Sequence, residues 1–481
     1  MPPRPSAPSV SVVAAVVLTS VAALGCGRVP LDFSPFDGGP EPDGAGGDAR
    51  LDTSGVELLG APLIFAPTAH GFGISVVLRK GDPATLQLRV RAESASNVTG
   101  LGPGTSPAAD VAQWSVSGLE PGQRYVYDVC LRQDGASGPV ACDGLLYTGS
   151  AVTAREPGDS FTFIAMADSH IEPRDPIPPG STVVDDGFGS MESTLRAVTA
   201  DMAAAKADFI VDMGDLLDYH LFGFNTPPPD SAWARLAYLN FRRMMGDTLG
   251  NAAHFPVIGN WDGESGCNSD AEIQRSLSQR LLYAPGPLAK TYPQGGSANG
   301  DYYAFTWGDA LFVVLNVMTY TPTCHLLNQQ PGLPDDWTLG AAQLAWLDDT
   351  LARSTAKWKF TFIHHTVGGN AGNDVDTAYG RGGGRAAYVG EQKTVHDMLR
   401  RYGVQIFFYA HDHVFTDMVV DGIHYTLPGS AGAPWKFDTY ETGYTSFWPD
   451  SGYGRVKVTP HRVTVDFVAM GGGVLSSFSL P

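Results

Sequence analysis

From residue 161 onward this 481-residue chain repeats one unit: an apolar run that ends in residues able to bind a metal. The runs are FTFIAMAD (161–168), DFIVDMGD (208–215), HFPVIGNWD (254–262), ALFVVLNV (310–317), WKFTFIHH (358–365) and VQIFFYAHDH (404–413). All but the fourth end in chemistry: Asp168-Ser169-His170, Gly214-Asp215, Gly259-Asn260, His364-His365 and His411-Asp412-His413. Between the runs lie stretches with helical spacing of apolar residues, at about 190–207, 230–250, 339–354 and 391–402, the last stopped by Gly403. Strand–helix–strand units predict a sheet with parallel pairs and helices on its faces. Ligands bind such sheets at the carboxyl edge of the strands. Five ends carrying Asp, Asn and His would therefore meet in one pocket. In extended backbone, residues two apart face the same side, which would turn Asp168 and His170 together, and likewise His411 and His413. A lone DxH is more often a turn or a cap than a ligand, and a lone HxH is as often one as the other; five in succession carry the reading.

The chain begins differently. Arg4 precedes the apolar run SVVAAVVLTSVAAL, too short to span a bilayer, and the run ends in AALGC. This resembles a bacterial lipobox, with Cys26 lipidated in the mature protein; an ordinary signal peptide cut nearby is the alternative. Both readings predict export, and the first predicts a membrane-anchored lipoprotein of the periplasm or cell surface. Residues 27–55, rich in Gly, Asp and Pro, read as a solvated tether. Four further cysteines in an exported chain suggest disulfides. Cys130 and Cys142 flank a hairpin-like loop and are expected to pair, leaving Cys267 with Cys324 by elimination. A thiol metal site is the alternative, without a CxxC spacing to support it.

Residues 56–154 read as all-β, with short alternating runs between Gly/Pro turns. Within them LEPGQRYVY resembles the corner of fibronectin type III domains, an immunoglobulin-like sandwich, where a tyrosine hydroxyl ties back to upstream backbone. Tyr125 and Tyr127 are thus expected in the corner and the core. The charge excludes some partners: 50 acidic residues face 31 basic ones, a formal −19. Specific nucleic-acid binding is not expected, and membrane contact only through the lipid anchor. A phosphorylated substrate would be repelled unless local cations reversed the field.

The set ADSH, GDLLD, GNWD, IHH and AHDH resembles the calcineurin-like metallophosphoesterase superfamily. With the fibronectin-like module in front, the architecture is most similar to purple acid phosphatases and their bacterial relatives. The resemblance implies an α/β fold over residues 155–481, a four-layer β-sandwich flanked by helices. It implies one metal on Asp168, His170, Asp215 and His413, and a second on Asp215, Asn260, His364 and His411, with Asp215 bridging. The ions implied are Fe, Zn or Mn, divalent or trivalent. The reaction implied is hydrolysis of a small phosphorylated substrate by a metal-bound hydroxide attacking in line, with a phosphomonoester favoured over a phosphodiester. A surface-anchored binding lipoprotein with a degenerate enzyme domain is the reading from another class; all seven ligand types being present argues against it.

Three positions depart from the family pattern. Ala410 stands for a glycine. Asp218 stands where purple acid phosphatases carry a tyrosine ligand, with Tyr219 one residue late, and is expected to orient a ligand histidine. Trp261 stands for a signature histidine, and an indole cannot transfer a proton in the useful pH range. His365 is the expected replacement acid, with His220 next. Trp261 and Asp262 are expected to line the substrate. The loop VGGNAGNDVDTAYGRGGGR offers Arg381 or Arg385 to a phosphate, or is plain surface.

Overall fold

The structure is a computed structural model that describes residues 55–132, 142–171, 192–218, 231–266, 269–287, 292, 294–320, 338–367, 390–433, 435–436, 444 and 446–481. The leader, residues 27–54 of the tether, Cys26, Cys267, Cys324, His220, Arg381 and Arg385 lie outside the described residues.

Two sheets face each other across an aromatic core. In the first, Phe161–Met166, Phe209–Asp212 and Ala253–Pro256 run parallel, and Gly452–Val458, Val463–Ala469 and Val474–Leu480 add antiparallel beside Phe161–Met166. In the second, Ala310–Val314, Trp358–Phe362 and Ile406–Phe408 run parallel, followed by Ile423–Pro428, and the antiparallel strands Tyr303–Trp307 and Phe415–Val420 close the two edges. Alternate residues explain the layers. Phe163 stacks on Phe209 of its own sheet at 5.3 Å and meets Phe312 of the other edge-on at 5.2 Å. Their neighbours Ile164 and Ile210 turn outward, onto Leu195, Val198 and Met202 of helix Glu192–Ala204 and Phe241 of helix Ser231–Met244. Across the second sheet Leu311, Val313 and Phe407 pack on Leu347 and Leu351 of Gly340–Arg353 and Leu399 of Gly390–Arg401. Strands buried on both faces explain why the runs are continuously apolar rather than alternating. Each such side chain contributes about 1.5–3 kcal/mol on burial.

The four expected helices are present, and the second continues into a short helix at Asp247–Asn251. A fifth, Asp270–Tyr283, lies inside what reads as a long loop. Its start was legible: Ser269 accepts from the Glu272 N–H while the Glu272 side chain reaches back to Ser269, a capping box written S-x-x-E. The salt bridge of Arg280 with Glu264, 2.6 Å and buried, pins this helix against the segment after GNWD.

The N-terminal region is β-rich, in two antiparallel sets. Thr99–Leu101, Leu86–Ala92, Arg124–Leu131 and Asp143–Val152 form one sheet. Leu63–Thr68, Gly71–Lys80, Val111–Ser117 and Thr105–Ala108 extend the first large sheet, because Leu63–Thr68 lies parallel to Ala253–Pro256 with Phe65 opposite His254. The Tyr125 hydroxyl accepts from the Glu120 N–H at 2.8 Å, the expected tie across a corner. Tyr127 is buried but does more than fill the core: its hydroxyl donates to the Gly250 carbonyl at 2.8 Å. Residue 154 is therefore no break in the packing. Arg242 is buried and donates to the Ser75 carbonyl at 2.6 Å, and Arg124 donates to Asp208 at 3.3 Å. Cys130 and Cys142 are bonded, closing a loop worth about 3 kcal/mol in chain entropy.

Candidate active site

All seven expected ligand residues gather at the carboxyl edge where the two sheets meet, although each strand ends before its ligand. Phe161–Met166 stops short of Asp168, and Trp358–Phe362 short of His364. The expectation of extended i, i+2 pairs is corrected here. Asp168, His170, Asp215, His411 and His413 all take positive φ, from 48° to 81°, and make up five of the eight non-glycine residues that do so among those described. Non-glycine residues rarely adopt this backbone, and the strain collects at sites whose surroundings impose it. Left-handed turns, rather than strand alternation, aim the side chains inward.

The glycines of the motifs are explained by contact. A Cβ on Gly259 would sit 2.1 Å from the Asp215 backbone nitrogen and 2.2 Å from its Oδ1, and one on Gly214 would meet Gly259 at 2.6 Å. The two loops touch backbone to backbone. Asp262 holds them there: its Oδ2 accepts from the N–H groups of Gly259 (2.7 Å) and Asp215 (3.1 Å), and its Oδ1 from Leu217 (3.0 Å). The expectation that Asp262 lines the substrate is thereby corrected; buried, it organises the loops that carry the ligands. Burial, with the charge of Asp215, pushes its carboxyl up to about 7.

Two sets of ligand atoms result. Asp168, His170, Asp215 and His413 form one, all buried; Asp215, His364 and His411 form the other, and Asp215 belongs to both. Nε2 of His170 and Nε2 of His413 lie 3.2 Å apart, and His413 Nε2 is 3.5 Å from Asp168 Oδ1. In the second set His364 Nε2 is 3.1 Å from Asp215 Oδ2, and Asn260 Oδ1 lies 3.0 Å from His364 Nε2 and 2.8 Å from His411 Nδ1. Outer partners fix the rings: His364 Nδ1 donates to the Met213 carbonyl at 2.9 Å and His413 Nδ1 to that of Trp435 at 3.0 Å. Both leave Nε2 aimed at the cluster, the arrangement that orients metal-binding imidazoles.

Electrostatics mark the pocket as incomplete in protein atoms alone. Oδ2 of Asp168, Nδ1 of His170 and both oxygens of Asp218 are buried without a hydrogen-bond partner. Unpaired buried carboxylates are costly unless a cation joins them. Burial raises Asp168 well above the ordinary carboxylate range, with the charge of Asp215 adding to it. Burial works on Asp215 too, but the charge and hydrogen bond of His364 outweigh it and hold the carboxyl low. His364 is disfavoured by burial yet raised to about 9 by Asp215. The Asp, Asn and imidazole donors fit divalent or trivalent first-row ions.

The remaining expected residues are placed as follows. Asp218 lies beside His170, its Oδ2 3.8 Å from Nδ1, beyond hydrogen-bond reach. His365 is buried, with Nδ1 3.0 Å from the Thr366 carbonyl and its ring edge-on to His411 at 4.6 Å. The backbone N–H of Trp261 donates to Asp215 Oδ1 at 2.8 Å, and its indole meets His170 edge-on at 5.6 Å.

Three residues escaped the sequence reading. Trp435 packs edge-on against His170 and His413, at 4.6 and 4.7 Å, and lies 6.5 Å from Trp261, so two indoles wall the first set. Lys436 follows it, its ammonium donating to the Ala433 carbonyl at 3.1 Å; burial lowers it to about 8, against the attraction of Asp168. Tyr444 donates to Asp412 at 2.6 Å and contacts the Tyr409 hydroxyl at 2.9 Å, tying down the HDH turn. All three lie beyond the last motif, and the only signal was the non-repeating SAGAPWK after a strand. The N–H groups of Gly432 and Ala433, 3.1 and 3.0 Å from the Asp168 carbonyl, bring that segment in.

A two-sheet α/β fold with a shared-carboxylate pocket at the carboxyl edge defines a metal-dependent phosphoesterase. Residues 161–415 match the calcineurin-like phosphoesterase family, to which the chain belongs. No curated protein matches it in sequence. Among solved structures, PhoD is similar in fold, with a TM-score of 0.65 at 17% identity over 90% of this chain and 91% of that one. A dimetal phosphatase from Danio rerio matches with a TM-score of 0.43 at 15% identity, over 67% of this chain and 99% of its own.

Proposed function

We propose that the protein is an exported phosphomonoesterase that works with two metal ions, anchored to a bacterial membrane through Cys26. Its N-terminal β region is read as a fibronectin type III-like module. The observation that carries the reading is Asp215, shared by two sets of ligand atoms. Asp168, His170, Asp215 and His413 would hold one ion, and Asp215, Asn260, His364 and His411 the other. When bound, the ions supply Lewis-acid charge and lower the pKa of water.

The chain's own residues do the rest. Asp262 keeps the Asp215 and Asn260 loops in register. Trp261 and Trp435 exclude water from one side and offer an apolar wall to the substrate's alcohol part. His365 protonates the leaving oxygen. Its Nδ1–H donates to the Thr366 carbonyl, which makes Nε2 the nitrogen that exchanges a proton.

The test is a panel of phosphomonoesters and phosphodiesters assayed with Mn, Zn and Fe. Monoesters are expected to turn over faster; faster diesters would reverse the substrate class. In His365→Ala, esters with poor leaving groups should slow about 10²-fold or more, and good ones far less. Equal slowing of all would remove His365 as the acid.

A further inference from the structure

We propose that Lys436 is the residue that selects phosphate monoester dianions, by pairing its ammonium with the oxyanion that a diester lacks. The inference rests on the metal-dependent reading above and gives that site its substrate charge.

The argument begins with Asp218. From sequence, two carboxylates, Asp168 and Asp215, oppose the ions. The structure adds a third, since Asp218 is fully buried beside His170 with no hydrogen-bond partner for either oxygen. Three acidic side chains at the cluster would offset much of the charge that bound ions bring, so little would be left over for a substrate. Asp262 and Asp412 accept hydrogen bonds from backbone amides and from Tyr444 respectively, and neither brings a positive charge to the pocket. A diester monoanion enters such a pocket at modest cost. A monoester dianion carries one more negative charge, into a protein of formal charge −19.

Lys436 supplies the missing cation from the right place. It adjoins Trp435, whose carbonyl receives His413 Nδ1–H and whose ring covers His170 and His413. Ala433, whose carbonyl accepts from its ammonium, is itself bonded through its N–H to the Asp168 carbonyl at 3.0 Å, which sets Lys436 beside the first set. The Ala433 carbonyl takes one of its three N–H donors, and it is the one hydrogen-bond partner shown for Lys436 among the described residues. The backbone of Gly432 and Ala433 is bonded to Asp168, so the cation is tied to the cluster rather than carried on an independent loop. Trp261, on the same side, is neutral and offers no competing charge.

The test uses the full, metal-loaded chain and two variants, Lys436→Gln and Lys436→Arg. Gln keeps a donor for the Ala433 carbonyl and removes the charge; Arg keeps the charge. In Lys436→Gln, the ratio of kcat/KM for a monoester to that for a diester of the same alcohol should fall about tenfold or more. Inorganic phosphate, titrated by calorimetry, should bind about tenfold more weakly, with metal content unchanged. Lys436→Arg should restore both to within about threefold. A residue that only supported the loop would slow both esters alike, and an unchanged ratio with unchanged phosphate affinity would overturn the proposal. A metal-loaded wild type that hydrolyses neither ester would overturn the phosphoesterase reading instead, and phosphate affinity in the variants would still decide the role of Lys436.

Discussion

Asp208 and Asp215 are both buried carboxylates at the ends of one short strand, and the protein treats them in opposite ways. Asp208, at the strand's start, is met by Arg155 at 2.7 Å, by Arg124 at 3.3 Å and by the Trp307 indole N–H at 3.4 Å. Asp215, past its other end, is met by the His364 and His170 imidazoles and a backbone N–H, and pairs with no arginine or lysine among the described residues. Asp208 joins the N-terminal region to the large sheet, and its counter-charges are built in. At Asp215 the chain leaves the counter-charge to be brought from outside. Burial alone therefore does not separate a structural carboxylate from a functional one; the source of the opposing charge does.

Asp215→Asn tests the functional side and should have the largest effect. The shared ligand is lost to both sets, so kcat/KM should fall about 10³-fold or more while the protein stays folded, and metal analysis should find at least one ion gone. Two ions retained at normal activity would break the comparison. Asp208→Asn is the structural counterpart. Removing one partner of a largely buried ion pair costs about 3 kcal/mol, so denaturant unfolding should shift to lower midpoint while bound metal and kcat at low temperature are kept. A change in metal content would show that the two carboxylates are not separate. Chelation is the last test: ions bound to the folded state alone stabilise it by about 3 kcal/mol at a hundredfold excess over Kd. Wild type should then lose several degrees of Tm on chelation and Asp215→Asn fewer, while Asp208→Asn should lose as much as wild type.

Much of the site was legible, because metal chemistry restricts which residues can serve and strand ends are marked by the stop of an apolar run. Asp168, His170, Asp215, His364, His411 and His413 were readable for that reason, and the structure brings them together. Asp262 was misread as a substrate residue because a carboxylate beside a ligand looks the same whether it faces substrate or backbone. Trp435, Lys436 and Tyr444 were not readable, since they reach the pocket through contacts with Asp168, His413 and Asp412 that no spacing encodes. The helix Asp270–Tyr283 was readable from its cap but was hidden among polar residues.

What the sequence determined by itself was the kind of chemistry and the order of its parts: apolar period and residue type are local properties, and the strands, four of the helices and the ligand set follow from them. Only the tertiary structure decided the direction of each ligand, because positive φ at Asp168, His170, Asp215, His411 and His413 is imposed by loops packed backbone to backbone through Gly214 and Gly259. It alone decided which carboxylate keeps its own cations. An arginine far away in the chain pairs with Asp208 and not with Asp215 only because the folded backbone puts it there, and the strength of a charge pair depends on distance and burial rather than on order in the chain.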